Sequence, residues 1–278
     1  MPDERPWDRP LTEIFEIEPA EETAFTTRLH GFGGVTLGCA TLAAARTCEG
    51  RSLSSLHTYF LRPVPIDRPI TLRVERLRDG RRFSHRRVEL REKDQLYFEL
   101  IASFVAPGAG AEYQEARAAP VPAPDDLASE EEIAREEGWR RGEPGPIFGP
   151  LEWRWVDGTP WRAAAAGSPS RYCAWVRPRF PLPNDSAWNA AALAFLTDYH
   201  SHFPVARRLG GPFEPWGYTS LDQSLWVHRE IAWDTWLLLA TESEVAHAGR
   251  ALTHRRLFTG DGRLVASMMQ EQLIPSGG

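Results

Sequence analysis

The chain has 278 residues, of which 42% are hydrophobic and 25% are charged, and its formal net charge is −6. This composition is typical of a folded globular protein and excludes a mostly disordered or fibrous chain. The acidic balance also argues against a non-specific nucleic-acid binder, because affinity for phosphates comes from clustered lysine and arginine.

Several features indicate a cytoplasmic protein with no membrane segment. No apolar run approaches the ~18 residues that a membrane helix requires, and the amino terminus lacks the basic and apolar regions of a secretory signal. The three cysteines, Cys39, Cys48 and Cys173, show neither a metal-ligand spacing nor an even disulfide framework. We therefore expect reduced thiols and no metal site.

Residues 11–104 predict a first structural unit. Gly31-Phe32-Gly33-Gly34 leads into a helix from about Val35 to Arg46, in which glycine and alanine occupy several faces. Small residues on all sides favour a helix enclosed by a curved sheet. Four antiparallel strands are predicted after it, at Leu56–Leu61, Ile70–Glu75, Phe83–Leu90 and Leu96–Val105.

The composition then changes to proline, glycine, alanine and acidic residues from Pro107 to about Pro150. This segment is typical of a linker. It contains one predicted helix, Ser129 to Glu137, with a capping-box spacing from Ser129 to Glu132.

A second unit follows with the same order of elements. It begins with strands at Leu151–Val156 and Tyr172–Val176, and continues with a helix from Ser186 to Phe203. The remaining predicted strands are Thr219–His228, Thr235–Thr241, Ala251–Phe258 and Leu264–Leu273. Each unit therefore predicts an antiparallel sheet wrapped around a central helix, in an α+β protein.

The repetition extends to short motifs. Ser84-His85-Arg86-Arg87 in the first unit is similar to Thr253-His254-Arg255-Arg256 in the second, and the two hairpins align with a one-residue slip. This alignment places Gln270 opposite Ala102 and Ser220 opposite Leu53. Only the second copy carries polar side chains there, which makes it the candidate site of a duplicated chain.

Three residues of the second unit could carry chemistry. Asp198 lies deep in an otherwise apolar predicted helix, where an unpaired carboxylate costs several kcal/mol, roughly. A helix edge turned to solvent, or a role in capping a neighbouring loop, would also explain it. Strand alternation places Ser220, Asp222 and Ser224 on one face and Leu221, Gln223 and Leu225 on the other. An ordinary solvent-facing strand is the alternative, and an isolated Gln270 is usually a surface residue.

Other patterns carry less weight. The glycines around Phe32 lack the lysine and hydroxyl residues of a phosphate-binding loop. His200 and His202 are two residues apart, which on a helix turns them away from a shared metal. No Gly-x-Ser-x-Gly motif of a serine hydrolase is present.

The chain resembles the acyl-CoA thioesterase II family in both units, in order. The first unit contributes His30–Gly34, Leu56–Pro63, Val74–Arg81 with Phe83-Ser84, and Ala102–Phe104. The second contributes Ser220–Arg229, Asp261–Ser267 and Gln270-Glu271. The resemblance implies a double hotdog fold: an N-terminal hotdog at 10–106, a partly helical linker at 107–147 and a C-terminal hotdog at 148–278.

The resemblance also implies an activity and a site. The family's aspartate, hydroxyl residue and glutamine fall on Asp198, Ser220 and Gln270, which would activate a water to hydrolyse an acyl-CoA thioester without a cofactor or covalent intermediate. The oxyanion donors would come from the Gly33-Gly34 helix entry or from the opposite helix. The candidate substrate-binding residues are Gly33, Gly34, His57, Asp222, Ser224, Arg86 and Arg255. The two arginines are candidates for the coenzyme phosphates, although solvated strand ends would also explain them.

The chain departs from the family pattern at three positions: Val35 replaces a common glutamine, Gln223 a common histidine, and Ser220 the commoner threonine. Two other functions stay open. One is a protein that binds an acyl thioester without hydrolysing it, and the other is a hotdog dehydratase that would use His200 near Asp198. The sequence also leaves open the acyl length, coenzyme A or a carrier protein as the thiol, and homo-oligomer formation.

Overall fold

The computed structural model describes residues 9–29, 31–66, 68–138, 149–160, 167–210 and 218–274. Twelve strands in these ranges form one antiparallel sheet, in the order β1-β2-β4-β5-β6-β3-β9-β12-β11-β10-β8-β7. The strands of the first unit are β1 (Ile17–Glu21), β2 (Ala24–Thr27), β3 (Ser52–Phe60), β4 (Ile70–Asp79), β5 (Phe83–Glu92) and β6 (Gln95–Val105). Those of the second are β7 (Leu151–Trp155), β8 (Arg171–Pro178), β9 (Thr219–Val227), β10 (Leu237–His247), β11 (Arg250–Thr259) and β12 (Leu264–Leu273).

Five α-helices accompany the sheet in the described ranges: α1 (Leu11–Ile14), α2 (Gly33–Arg46), α3 (Glu130–Glu136), α4 (Ser186–Asp198) and α5 (Phe203–Leu209). The two long helices, α2 and α4, pack against each other inside the curved sheet, and nearly all of α2 is buried. Small residues permit this packing. A Cβ on Gly38 would come to 2.5 Å from the Phe15 ring, so only glycine fits there.

The two units join through strands β3 and β9, which pair antiparallel in the middle of the sheet. His57 lies opposite Ser224 and Ser55 opposite Trp226 at this junction. Each unit therefore contributes six strands and one long helix to a continuous structure.

The strand registers define which residues of the two units are equivalent. The β3–β6 ladder skips Ser54, and the β9–β12 ladder skips Leu221, so a β-bulge occurs at the same place in both units. Aligned on these bulges, Leu53 corresponds to Ser220. Ala102 pairs with Leu56 in the first unit, and its counterpart Gln270 pairs with Gln223 in the second.

The repeated arginine motif, in contrast, does not mark equivalent positions. Arg86 lies opposite Ala102, whereas Arg255 lies opposite Met268 and Thr253 lies opposite Gln270. Arg86 therefore corresponds to Thr253, and the alignment of the two motifs with a one-residue slip is wrong. The register of a sheet is set by its backbone ladder and inward side chains, which a four-residue similarity does not determine.

The second central helix is shorter than the sequence predicts. It ends at Asp198 instead of continuing to Phe203, because Tyr199 is extended and His200 takes a left-handed conformation with φ of 55°. Pro204 then lies in the first turn of α5, where its missing N–H is tolerated. A helix continuing through Pro204 would lose a hydrogen bond and clash with the preceding turn.

The linker packs on the outer surface of the second unit. Trp175 Nε1 donates to the Pro122 carbonyl at 2.9 Å. Small apolar linker residues cover the buried Trp175, Leu238 and Phe258.

The predicted capping box is confirmed, since Ser129 and Glu132 exchange hydrogen bonds at the start of α3. The division into domains at 106 and 147 stays a prediction, and the second boundary lies outside the described residues.

None of the helices in the described ranges has the length and hydrophobicity needed to cross a bilayer.

The linker helix also carries a buried acid. Glu130 is 2% exposed and accepts a hydrogen bond from Trp155 Nε1 at 3.0 Å. Its Oε2 atom has no hydrogen-bond partner among the described residues. Burial raises the pKa of the Glu130 carboxyl from 4.5 to about 8, so the neutral form is favoured in the folded protein.

We expect Glu130→Gln to stabilise the protein, because glutamine keeps an acceptor for Trp155 without a charge. Between the two pKa values the folded chain holds a proton that the unfolded chain has lost, so wild-type stability falls as pH rises. The melting temperature of the variant relative to wild type should therefore increase from about pH 5 to about pH 8 and then level off. Glu136→Gln, on an exposed position of the same helix, is the control. A difference that does not change with pH would contradict the burial of Glu130.

Candidate active site

The central feature of the candidate site is a buried carboxylate at the meeting point of the two long helices. Asp198 is the last residue of α4 and is 7% exposed. It lies against the first turn of α2, where backbone N–H groups lack partners within the helix. A carboxylate in this position requires hydrogen-bond donors to offset the loss of hydration.

In the part of the chain that the structure describes, four donors surround the Asp198 carboxylate. Its Oδ1 atom accepts from Gln223 Nε2 at 2.6 Å, from Ser220 Oγ at 2.7 Å and from Gln270 Nε2 at 3.0 Å. Its Oδ2 atom accepts from the Gly34 backbone N–H at 2.8 Å. Gln270 Nε2 also donates to Ser220 Oγ at 2.7 Å. The structure thus brings Asp198, Ser220 and Gln270 together and adds Gln223.

The β-bulge at Leu221 explains why alternation failed to predict Gln223. The extra residue reverses the facing of the strand, so that Ser220 and Gln223 both point inward to Asp198. Asp222 and Ser224 then point to the outer face. The predicted shared face of Ser220, Asp222 and Ser224 is therefore wrong. A bulge depends on the partner strand, and a single strand's sequence carries no clear signal for it.

His57 also lies on the outer face of the sheet, away from Asp198. Its neighbours Leu56 and Thr58 are buried, and its ring contacts Ser224 Oγ at 3.0 Å through Nδ1. Trp226 packs edge-on against the same ring. The side chains predicted to bind substrate at His57, Asp222 and Ser224 therefore lie on the outer face of the sheet, and Asp198 lies on the inner face.

Arg255 is buried beneath the end of α4 and does not face solvent. It is 1% exposed, and its Nη1 atom donates to the carbonyls of Leu196 and Thr197, both at 2.8 Å. Both carbonyls belong to the last turn of α4, where donors four residues further along the helix are missing, so Arg255 caps α4. The Leu196 carbonyl also accepts from the Tyr199 N–H at 3.2 Å. Its positive charge also lies near enough to Asp198 to lower the pKa of that carboxyl.

Arg86 has the same function for α2. It is 1% exposed and donates to the Thr47 carbonyl at 3.0 Å, to Thr47 Oγ1 at 2.7 Å and to Asp79 at 2.7 Å. The expected contact of Arg86 and Arg255 with coenzyme phosphates is therefore corrected, because both guanidinium groups are enclosed and bonded to protein groups. The alternative of solvated strand ends is wrong for the same reason.

Gly33 and Gly34 are required by the close approach of the helices. A Cβ on Gly33 would come to 2.7 Å from Asp198 Oδ2, and one on Gly34 to 2.8 Å from the Phe195 carbonyl. Any side chain at these positions would separate Asp198 from the end of α2. The glycines of the sequence motif therefore position the carboxylate.

The electrostatic environment favours proton transfer at Asp198. Burial raises the pKa of its carboxyl, while the hydrogen bonds from Ser220, Gln270 and Gly34 and the charge of Arg255 act in the opposite direction. A raised pKa brings a carboxylate closer to the range of an effective general base. The Gln270 Oε1 atom is buried with no hydrogen-bond partner among the described residues, which leaves one acceptor beside Asp198 for a ligand or water.

Two histidines that follow Asp198, His200 and His202, are uncharged. His200 packs against the rings of Trp153, Trp155 and Tyr199 in the turn after α4. Burial holds the pKa of His200 well below its ordinary value and lowers that of His202 to about 4, so both favour the neutral form. Within the described ranges, no group of histidine, cysteine and acidic residues could hold a metal ion.

Comparisons with known proteins identify relatives of the whole chain. Residues 22–105 match the acyl-CoA thioesterase N-terminal domain, and residues 121–274 match the acyl-CoA thioesterase C-terminal domain. Acyl-CoA thioesterase 2 of Haemophilus influenzae is 29% identical over 87% of each chain. Human acyl-coenzyme A thioesterase 8 is 28% identical over 95% of this chain and 88% of its own length.

A solved structure shows the same fold. The acyl-CoA thioesterase II TesB2 from Mycobacterium marinum superposes with a TM-score of 0.76 and 30% identity. The alignment covers 96% of this chain and 99% of that one.

The two arginine caps allow a matched test of the electrostatic role of Arg255. We expect Arg255→Met and Arg86→Met each to lower the free energy of unfolding by about 2–4 kcal/mol, because helix carbonyls lose their donors. Only Arg255→Met should raise the pKa of Asp198, since Arg255 is the cation near it. The carboxyl ¹³C signal of Asp198, assigned with Asp198→Asn, measures this. An equal pKa in both variants would contradict the role of Arg255.

Proposed function

Because the chain belongs to the acyl-CoA thioesterase family and has its α+β double hotdog fold, we propose that Asp198, Ser220 and Gln270 carry out its reaction. The protein is a thioester hydrolase that acts on acyl-CoA. The observation that supports this site is the buried Asp198 carboxylate, which has Ser220 and Gln270 as direct donors.

The reaction uses Asp198 as a general base toward water. The water oxygen forms a bond to the thioester carbonyl carbon, one water proton passes to Asp198, and the carbonyl oxygen becomes an oxyanion. Collapse of this intermediate breaks the carbon–sulfur bond, and the sulfur takes the proton from Asp198. The products are a carboxylic acid and a thiol, and Asp198 returns to its ionised form.

Ser220 and Gln270 orient the reacting groups. Their donors hold Asp198 Oδ1, which fixes the plane of the carboxylate. The Oε1 atom of Gln270, which has no partner among the described residues, accepts a hydrogen bond from the second proton of the attacking water. This arrangement aims the oxygen lone pair of the water at the carbonyl carbon and limits the motion that the reaction requires.

The amino end of α2 provides the site for the oxyanion. The Gly34 N–H already donates to Asp198 Oδ2, so this donor is used by the carboxylate. We assign the oxyanion to the Gly33 N–H at the same helix end, where the helix dipole favours negative charge. The absence of a side chain on Gly33 leaves room for the carbonyl next to Asp198.

The two alternative functions have less support. A dehydratase would need His200 as an acid or base, but its ring is enclosed by Trp153, Trp155 and Tyr199. A purely binding protein would have no need for a carboxylate with a raised pKa beside an unpartnered glutamine oxygen.

Several finer properties belong to the same proposal. The thiol is coenzyme A, as the names of the relatives indicate, with a carrier-protein arm as the alternative. A cytoplasmic location is supported by the three free cysteines, Cys39, Cys48 and Cys173. Homo-oligomer formation is part of the same proposal, and a measurement of molecular mass in solution tests it.

Thiol release from short, medium and long acyl-CoA substrates tests the assignment. We expect Asp198→Asn to lower kcat by about 10²–10⁴-fold, the usual contribution of a general base. Ser220→Ala should lower it by about 10–100-fold, because one hydrogen bond to a charged group is lost. In the wild type, kcat/KM should increase with pH as Asp198 ionises, with the midpoint above the ordinary aspartate value of 3.8.

The controls separate loss of the site from loss of the fold. Ser224→Ala removes a hydroxyl from the same strand on the outer face and should leave kcat unchanged. Circular dichroism and the melting temperature establish that each variant is folded. A folded Asp198→Asn variant with wild-type thiol release would overturn the assignment.

A further inference from the structure

Gln223 is an inward-facing polar residue that bonds directly to Asp198 and that the proposed mechanism does not use. It is 1% exposed, and its Nε2 atom lies at 2.6 Å from Asp198 Oδ1, the shortest of the four hydrogen bonds to that carboxylate. Its counterpart in the first unit is Leu56, which is fully buried. A buried amide costs more than a leucine unless both of its polar ends are bonded, so its presence requires an explanation.

Both ends of the Gln223 amide have partners. The Oε1 atom lies 2.7 Å from Thr197 Oγ1, which is the residue just before Asp198 in α4. The Thr197 hydroxyl also lies 2.5 Å from the Ala194 carbonyl, so its single proton is divided between two acceptors. The orientation of the amide is nevertheless fixed, because turning it would place Oε1 against the negative Asp198 Oδ1.

We propose that Gln223 is a positioning residue that makes Oδ2 the basic oxygen of Asp198; this inference rests on the proposed function. Oδ1 already accepts from Ser220, Gln223 and Gln270, which fills its lone pairs. Among the described residues, Oδ2 accepts a hydrogen bond from the Gly34 N–H alone, so one of its lone pairs is left to bond a water. The water proton is therefore transferred to Oδ2, beside the amino end of α2.

Gln223 also adds no ionisable group beside Asp198. An amide neither gains nor loses a proton in the working pH range, and it donates to Asp198 at every pH. As a donor to Asp198 Oδ1, it stabilises the ionised form of the carboxylate. The increase of kcat/KM with pH therefore reflects Asp198 alone, with no contribution from position 223.

Gln223→Met tests the role, since methionine has a similar shape and no donor. We expect kcat to fall about 10-fold or more, the effect of losing a hydrogen bond to a charged group. KM should stay near the wild-type value, because Gln223 bonds to protein atoms only. The rise of kcat/KM should shift to higher pH, because Asp198 loses a donor that stabilises its ionised form. A merely structural residue would not shift this profile.

Gln223→His tests the same contact by adding a second ionisation to the pH profile. Histidine adds a group that titrates near neutral pH. The pH profile should then show two ionisations where the wild type shows one. A Gln223→His profile identical to the wild type would contradict direct coupling between position 223 and Asp198.

Thr197→Val and Gln272→Leu complete the test. Thr197→Val removes the partner of Gln223 Oε1 and should shift the profile in the same direction as Gln223→Met, even if the latter folds poorly. Gln272 is a buried amide on the same inner face, but it donates to Thr253 Oγ1 at 3.2 Å and to the Ser201 carbonyl. Gln272→Leu is thus the matched control, with an unshifted profile.

The outcomes distinguish this inference from the proposed function. Wild-type activity in Asp198→Asn overturns the catalytic assignment. If Asp198→Asn is inactive and both folded Gln223→Met and Thr197→Val keep the wild-type pH profile, only the positioning role is overturned. The ¹³C titration of the Asp198 carboxyl gives the same comparison without substrate: an upward shift in Gln223→Met supports the role, and an unchanged titration contradicts it.

Discussion

The burial of one carboxylate constrains the centre of this protein. Asp198 must collect donors from separate parts of the chain, because α4 ends there and cannot satisfy it alone. One donor comes from the first unit, at Gly34, and three come from strands β9 and β12 of the second. The two units therefore have to meet at this point for the carboxylate to be tolerated. The same requirement explains the glycines at the start of α2.

Equivalent inward positions hold apolar residues in the first unit and polar residues in the second. Leu53, Leu56 and Ala102 occupy three inward positions of the first unit, and all three are buried apolar residues. The matching positions of the second unit hold Ser220, Gln223 and Gln270. Apolar packing at one end of the helix pair contributes to stability, while polar groups at the other end are acceptable because they satisfy one another. A duplicated fold thus combines an apolar half with a half that holds a buried cluster of hydrogen-bonded polar groups.

The buried arginines show how helix ends are stabilised inside a closed sheet. The last carbonyls of α2 and α4 have no donors four residues further along their own helix. Arg86 and Arg255 supply them from β5 and β11, although the two residues are not equivalent in the strand registers. Arg255 adds a positive charge near the Asp198 carboxylate. The linker closes the opposite side of the second unit, over Trp175, Leu238 and Phe258.

The sequence determined the features that depend on local pattern. These are the order of strands and long helices, the capping box at Ser129, and the polar asymmetry between Ala102 and Gln270. The pairing of Asp198 with Ser220 and Gln270 also followed from the family motifs. Tertiary structure alone decided the bulge at Leu221, and with it the inward turn of Gln223 and the outward turn of Asp222 and Ser224. It also decided the end of α4 and the burial of Arg86 and Arg255, because register and burial are set by the partner strands and helices that surround a residue.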